Sequence, residues 1–280
     1  MRYNTLSNSV YKRNRSNFMN EMEGKSLAVF NSNDIYPVSA DSELPFEQHR
    51  DIFHLSGIDQ EETILLLYPP SKDYKTREIL FIRKSDNHTK VWEGEKLSKK
   101  QANELSGIEN IYFIEDFKDV LSSIATKVDT FYINKNEHYR ANSPVETRED
   151  RFISWLLKKY PAHNVAKSNP ILQRQRSIKH PDEIDQIKRA CEITNKGFNR
   201  VLKFIKPDIW EYEIEAEFIH EFINNSSKGF AYSPIIASGH DNNVLHYIKN
   251  NKQCKSGELI LMDVGAEYGN YSSDMTRTVP

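Results

Sequence analysis

The chain has 280 residues, with 38 Lys+Arg against 40 Asp+Glu. The resulting net charge of −2 excludes both a basic footprint for nucleic acid and a polybasic membrane face. Apolar residues make up 38% and include 14 Phe, 14 Tyr and 3 Trp, which excludes wholesale disorder and supports about two domains at ~150 residues each.

No apolar run approaches the ~18 residues of a membrane span. The start, Met1-Arg2-Tyr3-Asn4-Thr5, opens a polar stretch without the apolar segment of a secretory signal. Cys191 and Cys254 lie far apart, with no CxxC and no His-Cys cluster. They make neither a disulfide framework nor a zinc knuckle, and a reducing compartment, the cytoplasm, is the expectation. None of the ten glycines builds a G-x-G-x-x-G or G-x-x-x-x-G-K-[ST] phosphate loop.

In chain order, Ser26–Phe30, Thr63–Tyr68, Glu78–Ile82 and Thr130–Ile133 are near-continuous apolar runs, the pattern of strands covered on both faces. Asn31 to Phe46, with two prolines and several Ser, Asp and Asn residues, reads as a long loop. Ser98 with Gln101 forms a capping-box pattern for a short helix. Phe117, Val120, Leu121 and Ile124 recur at helical spacing, and so do Phe152, Ile153, Leu156 and Leu157 in a helix expected from about Val145 to Tyr160. Strands alternating with helices predict an α/β domain over residues 1–170. Pro161 and Pro170 bracket the expected linker to a second domain, residues 171–280.

The second domain opens with a long helix. Pro181, Asp182 and Glu183 suit its first turn, although Ser would cap it better than His180. Ile184, Ile187, Cys191, Thr194, Phe198, Val201, Leu202 and Ile205 keep the apolar spacing until Pro207. The next helix, about Trp210 to Asn224, buries Ile214, Phe218 and Phe222. Its glutamates at 211, 213, 215, 217 and 221 read as a solvated face. Strands return over Ala231–Gly239 and Gly257–Ala266, and the latter reverses into Asn270–Val279.

Asp263 ends the apolar run Leu259-Ile260-Leu261-Met262, where an unpaired carboxylate is expensive. A two-residue loop at Tyr268-Gly269 sets Asp263 directly opposite Asp274 on one face of the sheet. Two adjacent carboxylates repel unless a hard divalent cation lies between them or other donors meet each one. His246 follows a loop rich in Gly, Asp and Asn; it is either structural or placed for proton transfer and substrate binding, whereas His240 reads as solvated.

Asp263-Val264-Gly265-Ala266 with Asp274-Met275-Thr276-Arg277-Thr278, after Val244-Leu245-His246-Tyr247, resembles the metallopeptidases of the pita-bread fold. Asn33-Asp34-Ile35-Tyr36-Pro37, the run from Phe46 to Gly57, and Val91-Trp92-Glu93-Gly94 resemble the amino-terminal domain of aminopeptidase P, so that the likeness covers essentially the whole chain. It implies an α/β aminopeptidase P-type amino-terminal domain followed by the first half of an α+β pita-bread catalytic domain. The implied activity is an Xaa-Pro aminopeptidase, a homo-oligomeric exopeptidase that uses two Mn²⁺ ions to activate the water attacking peptides with proline at position two. The resemblance makes Asp263 and Asp274 metal ligands and His246 the substrate-contacting catalytic residue. Tyr232 becomes part of the pocket for the free amine, and Trp92 reaches the site of a neighbouring subunit. The family's remaining ligands, one His and two Glu, have no counterpart here, and a truncated, inactive product is expected. Two other readings share the motifs: a prolidase-type dipeptidase, and a non-catalytic pita-bread module that binds peptides or partners.

Overall fold

Continuous burial along the central strands dictates the architecture of the amino-terminal unit. In the computed structural model, which describes residues 2–138 and 143–280, the chain divides into two units, Leu6–Lys179 and His180–Pro280 with Met1–Thr5. The larger unit runs α1 (Asn8–Asn20), β1 (Ser26–Asn31), β2 (Pro37–Ser39), β3 (Ser42–Glu43), α2 (Arg50–Ser56), β4 (Ile64–Leu67) and β5 (Glu78–Ile82). It continues through α3 (Asn87–Trp92), α4 (Lys99–Ser106), β6 (Asn110–Phe113), α5 (Phe117–Ala125), β7 (Thr130–Ile133), α6 (Arg148–Lys159), β8 (Asn164–Lys167) and α7 (Asn169–Ser177).

Six strands form one mixed sheet in the order β6-β5-β4-β1-β7-β8. Strand β1 pairs antiparallel with β4 and parallel with β7. Successive side chains of a strand face opposite ways. Ala28, Phe30, Leu65 and Leu67 therefore pack under Phe18 of α1, Leu55 of α2 and Leu172 of α7. Leu27, Val29, Ile64 and Leu66 pack under Leu121 of α5 and Phe152 and Leu156 of α6. The fully apolar runs of β1, β4 and β5 are what a sheet covered on both faces requires.

Several local expectations change. The stretch between Pro161 and Pro170 is not a linker: it contains β8, paired parallel with β7, and Pro170 sits in the first turn of α7. The long loop after β1 contains the small exposed hairpin β2–β3. Helix α1, polar in sequence, is held by polar side chains as well as by buried Val10, Tyr11 and Phe18. Arg15 is fully buried, donates to the carbonyls of Leu55 and Ser106, and pairs with Glu78 at 2.8 Å. Leu157 points to solvent. The Ser98–Gln101 capping box forms, with each side chain meeting the other residue's backbone N–H.

The second unit comprises α8 (Pro181–Phe204), α9 (Glu211–Asn224), β9 (Gly229–Phe230), β10 (Ile235–Ser238), β11 (Ile260–Val264), β12 (Ala266–Tyr268), β13 (Tyr271–Ser272) and β14 (Met275–Val279). Two three-stranded antiparallel sheets, β10-β11-β14 and β13-β12-β9, lie under the two helices. Their core joins Ile193, Phe198, Val201, Phe218 and Phe222 to Ile236, Met262 and Val264. Ile184, Cys191 and Leu202, expected inside, are exposed. His180 does cap α8: its Nδ1 accepts from the Asp182 N–H at 3.4 Å while Glu183 accepts from its own N–H at 2.8 Å. Among the described residues, no helix is long and apolar enough to cross a membrane.

Candidate metal-binding site

Strand β11 places its side chains with a period of two. Ile260, Met262 and Val264 turn into the helical core, so Leu261 and Asp263 take the opposite face. Leu261 packs there with Ile235, Ala237 and Tyr247. The hairpin that returns to this face turns at Gly269-Asn270, one residue later than expected. Both residues take positive φ, +60° and +68°, as a tight two-residue hairpin turn requires. Asp263 consequently pairs with Thr276 rather than with Asp274. The shift is two residues, so Asp274 stays on the same face and becomes a diagonal neighbour.

Gly265 makes this approach possible. A Cβ there would stand 1.9 Å from the Ser273 carbonyl oxygen. Ser273 is tied down by its hydroxyl, which lies 2.6 Å from the Thr194 hydroxyl and accepts from the Ala266 N–H at 3.0 Å. Gly265→Ala should therefore push Ser273 and the adjoining Asp274 away from β11. We expect a loss of about 1–3 kcal/mol, the usual cost of overpacking, together with loss of cation binding. Urea unfolding combined with a Mn²⁺ titration checks this, and unchanged values for both would disprove the role given to Gly265.

Tyr232 joins the two carboxylates. Its hydroxyl lies 2.6 Å from Asp263 Oδ1 and 2.9 Å from Asp274 Oδ1. Burial, then the hydrogen bonds to the two aspartates, push the phenol well above its ordinary range, so it stays a donor. Sequence spacing brought Asp263 and Asp274 together, but this phenol bridge was not visible in it.

The other expected site residues are not bonded to this cluster. His246 is exposed on a turn, and no hydrogen bond links it to Asp263, Asp274 or Tyr232. Trp92 lies in the amino-terminal unit, 73% exposed at the end of α3, with its ring stacked on His88 at 6.0 Å. One residue read as solvated is the opposite. Glu211 is fully buried and accepts from the Ser238 N–H and hydroxyl, the Tyr247 hydroxyl and the Lys252 N–H, at 2.8–3.0 Å. It thereby anchors the segment that carries His246. The signal was present in the spacing, because 211, 214, 218 and 222 form one helical stripe and the last three are core residues.

Two segments of the chain match known families: residues 11–132 match the aminopeptidase P amino-terminal domain and residues 185–280 match metallopeptidase family M24. The chain carries an aminopeptidase P amino-terminal domain followed by a domain of metallopeptidase family M24. It is 28% identical to the Xaa-Pro aminopeptidase of Escherichia coli (strain K12), over 98% of this chain and 62% of that protein. To Xaa-Pro aminopeptidase 3 of Homo sapiens it is 29% identical, over 93% and 52%. The Pseudomonas aeruginosa aminopeptidase PepP superposes with a TM-score of 0.88 at 27% identity, covering 99% of this chain and 62% of that one. Zinc-substituted E. coli aminopeptidase P in complex with product gives 0.87 at 27%, covering 99% and 63%. The chain thus spans between about half and just under two-thirds of the length of these relatives. These matches place the α/β unit as the aminopeptidase P-type domain and the second unit within the pita-bread fold.

The two carboxylates fit the family's divalent metal in kind, since carboxylate oxygens suit a hard cation. They fall short in number. Among the described residues, no group of three or more His, Cys, Asp or Glu side chains could hold an ion.

Proposed function

We propose that this chain supplies the amino-terminal domain and the aspartate pair of a metal-dependent exopeptidase that releases the first residue from peptides with proline at position two. The observation behind this reading is the Asp263–Tyr232–Asp274 cluster, on a chain aligned over 98% of its length with an Xaa-Pro aminopeptidase. In this reading Asp263 and Asp274 hold Mn²⁺, two ions once further ligands join them. When bound, the metal supplies an activated water and polarises the scissile carbonyl. Tyr232 keeps the two carboxylates together and lines the place of the substrate's free amine. His246, free on its turn, reaches the peptide and donates to the oxygen on which charge develops. The exposed Trp92 offers an aromatic surface to a second copy of the chain in a homo-oligomer, and the setting is the cytoplasm. The domain limits belong to the same proposal, an amino-terminal domain and a catalytic part, with the limit moved from residue 170 to Lys179, because α7 packs in the core of the larger unit.

The small ligand set favours one further reading, a module that binds peptides without cleaving them. A prolidase-type dipeptidase would differ only in requiring a dipeptide. Binding and turnover of Ala-Pro-Ala, Ala-Ala-Ala and Ala-Pro, each with added Mn²⁺, separate the three. We expect Mn²⁺-dependent binding that prefers Ala-Pro-Ala, and no appreciable turnover by the 280-residue chain. Two carboxylates cannot fix two ions ~3.5–4 Å apart. Binding of Ala-Ala-Ala equal to that of Ala-Pro-Ala would remove the proline specificity, and metal-independent binding would favour the module. Preferred binding of Ala-Pro would favour the dipeptidase.

A further inference from the structure

The amino-terminal unit has a cleft of its own. From β1 the chain passes to β4, β5 and β6 on one side, then crosses to β7 and β8 on the other. Parallel neighbours β1 and β7 therefore mark a topological switch point, where open α/β sheets leave a crevice beyond the carboxyl ends of their strands. Here it is a cleft of about 1170 Å³, lined by Asn31, Asn33, Asn134, Arg148 and Glu149 among others.

Two of these side chains have bonding capacity that the protein leaves unused. Asn134 is 4% exposed and donates through Nδ2 to Asp51 Oδ2 at 3.1 Å. That bond fixes the amide, because a flip would set oxygen against carboxylate. Its Oδ1 is buried and, among the described residues, accepts nothing.

Arg148 opens α6 and is half-buried, and its guanidinium makes no hydrogen bond or ion pair among the described residues. A cation at a helix N-terminus opposes the dipole, so helix stability does not explain it. The helix end itself is already satisfied: Asp34 accepts from the Arg148 N–H at 2.6 Å, and Thr147 and Asp150 form a capping box. Between these two groups Glu149 accepts from Asn31 Nδ2 at 2.7 Å and the Asn134 N–H at 3.3 Å. Burial pushes its carboxyl up to about 7, against those hydrogen bonds, which is the condition of a carboxylate short of a counter-cation.

We infer that this cleft binds a small zwitterion, a free amino acid or short peptide, with its ammonium on Asn134 Oδ1 and Glu149 and its carboxylate on Arg148. The site is built from residues of the amino-terminal unit and does not rest on the peptidase reading.

Titrating the ¹⁵N-labelled 280-residue chain with L-alanine, ethylamine and propionate tests it by NMR, because the last two each carry half of alanine's charge pattern. L-Alanine should shift the Asn134 side-chain amide and the backbone signals of Asn31 and Glu149 saturably, and each half-ligand should bind at least ~10-fold more weakly. Glu149→Gln should weaken L-alanine and ethylamine but not propionate, and Arg148→Gln should weaken L-alanine and propionate but not ethylamine. Absence of a saturable shift in the unaltered chain, shifts confined to residues outside the cleft, or variants that bind L-alanine as the unaltered chain does would each overturn the proposal.

Discussion

Replacing Glu211 by alanine is expected to destabilise the carboxy-terminal unit by about 3–5 kcal/mol, near the upper end for single substitutions. The change removes one fully buried carboxylate and strands the four donors it accepts from, on Ser238, Tyr247 and Lys252. A buried donor left without a partner costs ~1–3 kcal/mol, and partial relaxation toward water keeps the sum below four times that. Glu211→Gln retains one acceptor oxygen and should cost less than half as much. The same loss frees Tyr247, whose backbone neighbour is His246. Hydrogen exchange over residues 244–252 should therefore rise more than over β11. Urea unfolding of the two variants checks the energetic part. A cost below 1 kcal/mol for Glu211→Ala would mean that the stranded donors find other partners.

The second large effect concerns the aspartates. Asp263→Asn and Asp274→Asn should each weaken Mn²⁺ binding by more than about 100-fold, beyond what loss of a supporting residue does to a metal site. Each substitution removes one of only two charged oxygen ligands. The unaltered chain should itself bind weakly, on the order of 10⁻⁴–10⁻³ M, as sparse oxygen sites do. His246→Ala should leave the Mn²⁺ affinity unchanged, because His246 sits on an exposed turn without a bond to either aspartate. Isothermal titration of the three variants separates ligand from substrate residue. Loss of Mn²⁺ binding in the His246 variant would make it a ligand instead.

What the sequence made legible follows from burial. Strands β1, β4 and β5 are apolar throughout because helices cover both faces of the sheet, and the runs announced them. Strands β6 and β8 pair only at the sheet edges and keep exposed or half-exposed residues, so Asn110–Phe113 and Asn164–Lys167 gave little pattern to read. Helix α1 stayed hidden because Asn14 and Arg15 are buried through hydrogen bonds to backbone carbonyls, which hydrophobic periodicity cannot register. The Asp263–Asp274 neighbourhood survived an error in the turn because a two-residue slip preserves the face; a one-residue slip would have separated the pair. Tyr232 acts through long-range bonds to residues far away in sequence, which spacing alone did not place, whereas the burial of Glu211 was legible in its helical stripe and only its partners were not.

The central claim is that Asp263, Asp274 and Tyr232 form the cation-binding half of an exopeptidase centre. Paramagnetic broadening by Mn²⁺ in the NMR spectrum of the ¹⁵N-labelled chain tests it most directly. Broadening should be strongest at the backbone signals of Asp263, Asp274 and Tyr232, and disappear from the cluster when both aspartates are changed to asparagine. Broadening centred elsewhere, or unchanged in the double variant, would contradict the claim.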